Sequence, residues 1–143
     1  MLQAVAVLML LASSPKTSPP KTKVIRAEVD ITQKLLVPGC IDGTPIKAYH
    51  RRWRLELRHH AVSFTMGSDA RQAGFATVWF TPQAGHKYEI EVRTDQTNAF
   101  ARRVFERGTW KPVVRDRTTD RIVTGEPDWN DTACPAAAAA PNQ

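Results

Sequence analysis

The stretch Lys87 to Arg93, Lys-Tyr-Glu-Ile-Glu-Val-Arg, alternates charged and apolar side chains without a break. Successive side chains of an extended strand point to opposite faces, so this segment reads as a β-strand with one face in a core and the other in water. The same period recurs through the middle of the chain. Ile25, Ala27, Val29 and Ile31 alternate with Arg26, Glu28 and Asp30, and Trp53, Leu55 and Leu57 alternate with Arg52, Arg54, Glu56 and Arg58. Val62 and Phe64 resume the pattern beyond His59 and His60, so two strands are expected to join near those histidines. Ala76, Val78 and Phe80 alternate with Thr77 and Trp79, and further strands are expected over 110–115 and 121–124, with a turn between them.

Pro82 and Gly85 supply the preset and permissive dihedrals of a tight connection, which predicts an antiparallel hairpin between the strands ending at Phe80 and beginning at Lys87. Asp42-Gly43 and Gly67 are further turn signals. Only residues 98–107 carry apolar groups at helical spacing, Phe100, Val104 and Phe105, and that segment is read as either a helix or a long loop. About seven short strands, regular turns and at most one short helix predict an all-β fold, an antiparallel β-sandwich in first place and a small barrel in second.

The strands occupy one domain, residues 24–134 including a C-terminal arm, flanked by segments of different character. Residues 1–14 carry no charge and residues 4–12 are uniformly apolar. A bilayer-spanning helix needs about 20 such residues, whereas this run has the length of a signal-peptide core, so export is expected; the other reading is a buried first element. Leu11-Ala12-Ser13 resembles what precedes the lipid-carrying cysteine of bacterial lipoproteins, but Ser14 stands where that cysteine would be, so a protein soluble in the periplasm or held by an uncleaved signal is expected and a lipid anchor is not. Residues 15–23 form a tether rich in Pro and Lys, and residues 135–143 an Ala/Pro tail of low complexity. Cys40 and Cys134 are the two cysteines. In an oxidising compartment they are expected to pair, removing about 4 to 5 kcal/mol of unfolded-chain entropy in the simple loop model; in a reducing one they would be free thiols.

Several landmarks carry a resemblance: Ile41-Asp42-Gly43, the stretch Leu-Glu-Leu-Arg-His-His-Ala-Val-Ser-Phe over 55–64, the stretch over 80–92, and Trp110 with Val113, Val114 and Asp116. In this pattern the chain resembles small proteobacterial envelope proteins and lipoproteins of unknown function, in which an aspartate-glycine turn precedes a strand ending in a histidine-containing turn. The resemblance implies an Ig-like or transthyretin-like sandwich in the cell envelope and brings no catalytic residues. Arg58-His59-His60 departs from the glycine that often precedes the histidine in such proteins.

Candidate chemistry is sparse. His50, His59, His60 and His86 are the four histidines; His59 and His60 would face opposite sides of a strand, so turn and surface roles are expected and no metal or other cofactor. No nucleophile signature surrounds Ser63, Ser68 or either cysteine, and Asp116, Asp120, Glu126 and Asp128 read as turns and an exit segment. The most concrete surface feature is basic. The chain carries a net charge of +6, with Arg52, Arg54 and Arg58 projecting from one strand, Arg51 at its edge, and Arg102, Arg103 and Arg107 from the 98–107 segment. Such a row could bind lipopolysaccharide, anionic lipid or an acidic protein; alternatively it is a solvated face balanced by Glu89 and Glu91. Trp79 stands on the polar side of its strand, where it is either an interaction anchor or covered by Trp129 of the C-terminal arm. The expected function is that of a non-catalytic exported domain that binds or braces another envelope component, with an anion-binding module as the alternative and a small metal-binding protein or hydrolase behind both. No nucleic-acid partner is expected, since no stacking platform is evident.

Overall fold

The computed structural model describes residues 25–95 and 98–134. The expected signal segment over 1–14, the expected tether over 15–23 and the expected tail over 135–143 lie outside the described residues.

The chain forms a β-sandwich of two five-stranded sheets. Sheet A is built from β4 (Arg52–Glu56), β1 (Arg26–Ile31), β7 (Lys87–Thr94), β8 (Trp110–Asp116) and β9 (Arg121–Ile122), in that order. Sheet B runs β10 (Asp128–Asn130), β6 (Phe75–Phe80), β5 (His60–Met66), β2 (Leu36–Ile41) and β3 (Thr44–Pro45). All pairings are antiparallel except β1 with β7, which run parallel in the middle of sheet A. The alternating residues behave as their period requires. Ala27, Val29, Ile31, Leu55, Tyr88 and Ile90 of sheet A pack face to face with Val62, Phe64, Met66, Ala76, Val78 and Phe80 of sheet B. Trp110 fills one end of the core, fully buried, with its indole N–H donating to the Ala73 carbonyl at 3.0 Å.

Two expectations are corrected and one open reading is resolved. The connection from Phe80 to Lys87 is an arch between the sheets and not a hairpin: β6 pairs with β5 and β10, β7 with β1 and β8. At its corner the buried Tyr88 hydroxyl accepts the Gln83 amide at 2.8 Å, and Pro82 is buried as well. The 98–107 segment contains only one helical turn, α2 (Ala99–Arg102), which ends where Arg103 adopts a left-handed φ of 55°. Phe105, beyond that turn, is buried against the edge ring of Phe100, so the apolar spacing served a packed loop. Finally, Trp129 does not cover Trp79. The arm folds back and pairs as β10 on β6, but Trp129 sits opposite Ala76 and turns inward onto Trp110, with ring centroids 5.0 Å apart at 88°.

Strand β2 and the single turn α1 (Ala70–Ala73) went unread in the sequence. Pro38 and Gly39 interrupt β2, and the register slips between Pro38 and Cys40 against β5. This bulge turns Cys40 to the outer face of sheet B, opposite Ser63, while Pro38 faces inward with Phe64. Gly39 is needed there for close approach: a Cβ would lie 2.8 Å from Ser63 Oγ and 3.2 Å from the Ala133 side chain. Cys40 bonds to Cys134 across 94 residues, with Cα atoms 5.4 Å apart, within the usual range. The bond pins the C-terminal arm across the outer face of sheet B. No helix among the described residues is long and apolar enough to cross a membrane.

Candidate functional site: a cleft on the outer face of sheet B

The outer face of sheet B has unusual residues for a surface: Cys40, Ala61, Ser63 and Thr77, with Trp79 opposite Ala61. Small side chains in adjoining strands beside one large ring leave a depression. The arm supplies its far wall, since Asp128 sits opposite Thr77 and Asn130 donates to the Thr77 hydroxyl at 3.4 Å. The result is a cleft of about 210 Å³ bounded by Trp79, Arg58, Asp42, Asp128 and Asn130. Its floor is internally satisfied. Ser63 Oγ accepts the Cys40 amide at 2.9 Å and donates to the Ala133 carbonyl.

One end of the cleft is held by Asp42. Asp42 and Gly43 form the two-residue hairpin between β2 and β3, both with positive φ, 51° and 80°, the conformation for which Asp-Gly is favoured. That turn aims the Asp42 carboxylate at the next strand. One oxygen accepts the Ala61 amide at 2.8 Å; the other lies 2.7 Å from His60 Nδ1 and 3.2 Å from the Arg58 guanidinium. His60 is buried, not the surface group expected, and its Nε2 meets the Glu56 carbonyl at 2.8 Å. Both ring nitrogens therefore face acceptors, which ties the ring to the turn on one side and to β4 on the other. Burial opposes ionisation of Asp42, but the His60 hydrogen bond, the Ala61 amide and the charges of His60 and Arg58 outweigh it and hold the carboxyl below its ordinary value of 3.8.

A second aspartate–histidine pair braces the opposite sheet. His86 Nδ1 lies 2.6 Å from Asp116, whose other oxygen accepts the Thr118 and Thr119 amides. Burial raises the Asp116 pKa, but these bonds outweigh it, and the carboxyl again lies below 3.8. The four landmarks read from the sequence thus meet in pairs, the aspartate-glycine turn with His60 and the Asp116 turn with His86. His59 instead points outward to Thr81 Oγ1 at 3.1 Å. Among the described residues no three His, Cys, Asp or Glu side chains converge as metal ligands.

The arginines do not form one free patch. Arg52 lies 2.6 Å from Asp30 and 3.6 Å from Glu28, both on the neighbouring β1. Arg54 stands opposite Glu28 in the register. Arg58 divides between Asp42 and Glu56. The balancing acids are therefore those of β1 and the Asp-Gly turn, not Glu89 and Glu91, which pair with Arg117 and Arg115. Arg51 is taken up by the 33–36 turn, donating to the Gln33, Lys34 and Leu36 carbonyls. Of the second group, Arg107 pairs with Asp131 of the arm at 2.6 Å, and Arg102, which ends α2, and Arg103, its C-cap, are exposed. The cleft itself could be anticipated only from Trp79. Asp128 and Asn130 join it through the fold-back of an arm that reads as an exit segment.

No family model, curated protein or solved structure matches this chain.

Proposed function

We propose that the chain is a non-catalytic domain exported to the periplasm, where it binds another component of the cell envelope through the cleft on the outer face of sheet B. The observation that carries this reading is the construction of the cleft. A disulfide, a strand bulge and a returning arm all converge on a surface where an aromatic ring stands beside unfilled space, whereas a merely solvated face needs none of them. The disulfide fits an oxidising compartment. The anion-binding alternative is the weaker reading, because Arg52 and Arg58 are already engaged by acids of their own chain.

Co-sedimentation of the purified, oxidised chain with isolated bacterial envelopes tests the reading. Trp79→Ala is expected to abolish sedimentation, and Arg52→Gln with Arg54→Gln to leave it unchanged; the reverse pattern would transfer the function to the arginine row. Intact mass from cell fractions tests the compartment. A periplasmic species lacking about the first 12 to 14 residues is expected, and a full-length cytoplasmic species with two free thiols would overturn it.

A further inference from the structure

We infer that the cleft binds a neutral pyranose ring of a glycan; the inference rests on the cleft being the binding face. Its volume, about 210 Å³, falls below the roughly 300 to 1,000 Å³ of pockets for drug-sized ligands. It admits one ring-sized group. The side chains around it divide into two kinds. Trp79, partly exposed on the floor's margin, offers an apolar π-face and an indole N–H. Asp128 offers a carboxylate that only accepts hydrogen bonds, Asn130 a side-chain amide that donates and accepts, and Arg58 a guanidinium that only donates. A pyranose has that same division, with C–H groups on its faces and hydroxyls around its rim. The ring would lie against Trp79 over Ala61, with its rim toward Asp128 and Asn130.

Charge excludes the obvious competitor. Asp42 and Asp128 place two carboxylates at the cleft against the single guanidinium of Arg58, which Asp42 already holds at 3.2 Å. Asp42 thus engages Arg58 as well as His60, so a phosphate or an acidic side chain entering there would meet no unengaged cation among the lining residues and would face the exposed carboxylate of Asp128; the ligand is neutral and rich in hydroxyls. The floor supports the same choice. Ser63 and Thr77 have their hydroxyls engaged by the arm, which leaves a surface of small groups for a ring to rest on.

The test is an NMR titration of the oxidised full chain, following its indole N–H signals, with the Trp79 signal assigned from Trp79→Phe. The probes are di-N-acetylchitobiose and maltose at millimolar concentration, which separate an acetamido-bearing ring from one with hydroxyls only, and inositol hexakisphosphate as the anionic control. At least one disaccharide is expected to shift the Trp79 signal saturably and the phosphate to leave it in place. Trp79→Ala, read from neighbouring amide signals, is expected to weaken binding about tenfold. Asp128→Asn, which alters one exposed side chain, is expected to weaken it about fivefold and keeps the test valid if Trp79→Ala fails to fold. Saturable shifts by the phosphate alone, or disaccharide shifts that spare Trp79 and survive Asp128→Asn, would overturn the inference. If neither disaccharide binds while envelope sedimentation still depends on Trp79, the ligand class is wrong and the binding face stands. Loss of that dependence as well would remove the binding face itself.

Discussion

The outer faces of the two sheets solve different problems with the same strand geometry. On sheet A the exposed positions are charged and neutralise one another across the ladders. Arg54, Glu28 and Lys87 line up in one row, and Arg52, Asp30, Glu89 and Arg115 in the next. Such a face suits water, and two of its cations, Arg52 and Arg115, are already paired with Asp30 and Glu91. On sheet B the equivalent positions hold Cys40, Ala61, Ser63, Thr77 and Trp79, and a segment from the far end of the chain is fastened over part of them. The difference shows that a row of arginines is not in itself a binding surface. Residues too small or too apolar for solvent are the stronger mark.

The comparison can be broken most severely at the disulfide. Cys134→Ser should cost about 4 to 5 kcal/mol in the loop-entropy model, measured by denaturant unfolding, and should increase amide exchange in β10 and β6 before it does so in β1 and β7. Equal loosening of both sheets would show that the arm braces the whole sandwich and not sheet B. Next in size is His60→Ala, which leaves Asp42 and the Glu56 carbonyl without their buried partner. A loss of about 1 to 3 kcal/mol is expected from the same unfolding curves, while His59→Ala, at an exposed position, should change stability little.

Acid titration sharpens the same contrast. A carboxylate whose folded-state pKa is depressed contributes stability that is complete above its unfolded value and is lost as pH falls through the folded one. Asp42 and Asp116 both lie below 3.8, so stability should fall with pH below about 4. Asp42→Asn with Asp116→Asn should be less stable at neutral pH and should show a flatter acid limb. An acid limb as steep as that of the unchanged chain would mean that other carboxylates govern it. The smallest effect is expected on sheet A, where Arg52→Gln and Arg54→Gln should each cost under about 1 kcal/mol, because exposed ion pairs contribute about that much at most.

The two sheets also differ in how much of them the sequence reveals. β1, β4 and β7 of sheet A alternate because one face is wet and are legible for that reason, whereas β8 reads as a strand from its apolar run between Trp110 and Asp116. Sheet B is covered on the inside by the core and in part on the outside by the arm, so β5 and β6 still alternate but with small or apolar groups, Ala61, Ser63, Thr77 and Trp79, in place of charges. β2 was hidden for an added reason: Pro38 and Gly39 look like a break, yet they form the bulge that turns Cys40 outward. Strand existence could be read, but sheet membership could not. The arch at 81–86 and a hairpin share the same turn residues, and the strand pairing distinguishes them, β6 lying in one sheet and β7 in the other. Of the candidate site, Trp79 is legible from local pattern and the pairing of Cys40 with Cys134 from cysteine count and expected compartment, whereas the meeting of Asp42, Arg58 and Asp128 depends on register between distant strands.

The most direct test of the central claim is photo-crosslinking in living bacteria, with a benzophenone side chain placed at Trp79 in one version of the chain and at Arg54 in another. The account predicts a discrete adduct with an envelope component from position 79 and none from position 54. An adduct from position 54 with none from position 79 would contradict it and make the charged face of sheet A the working surface.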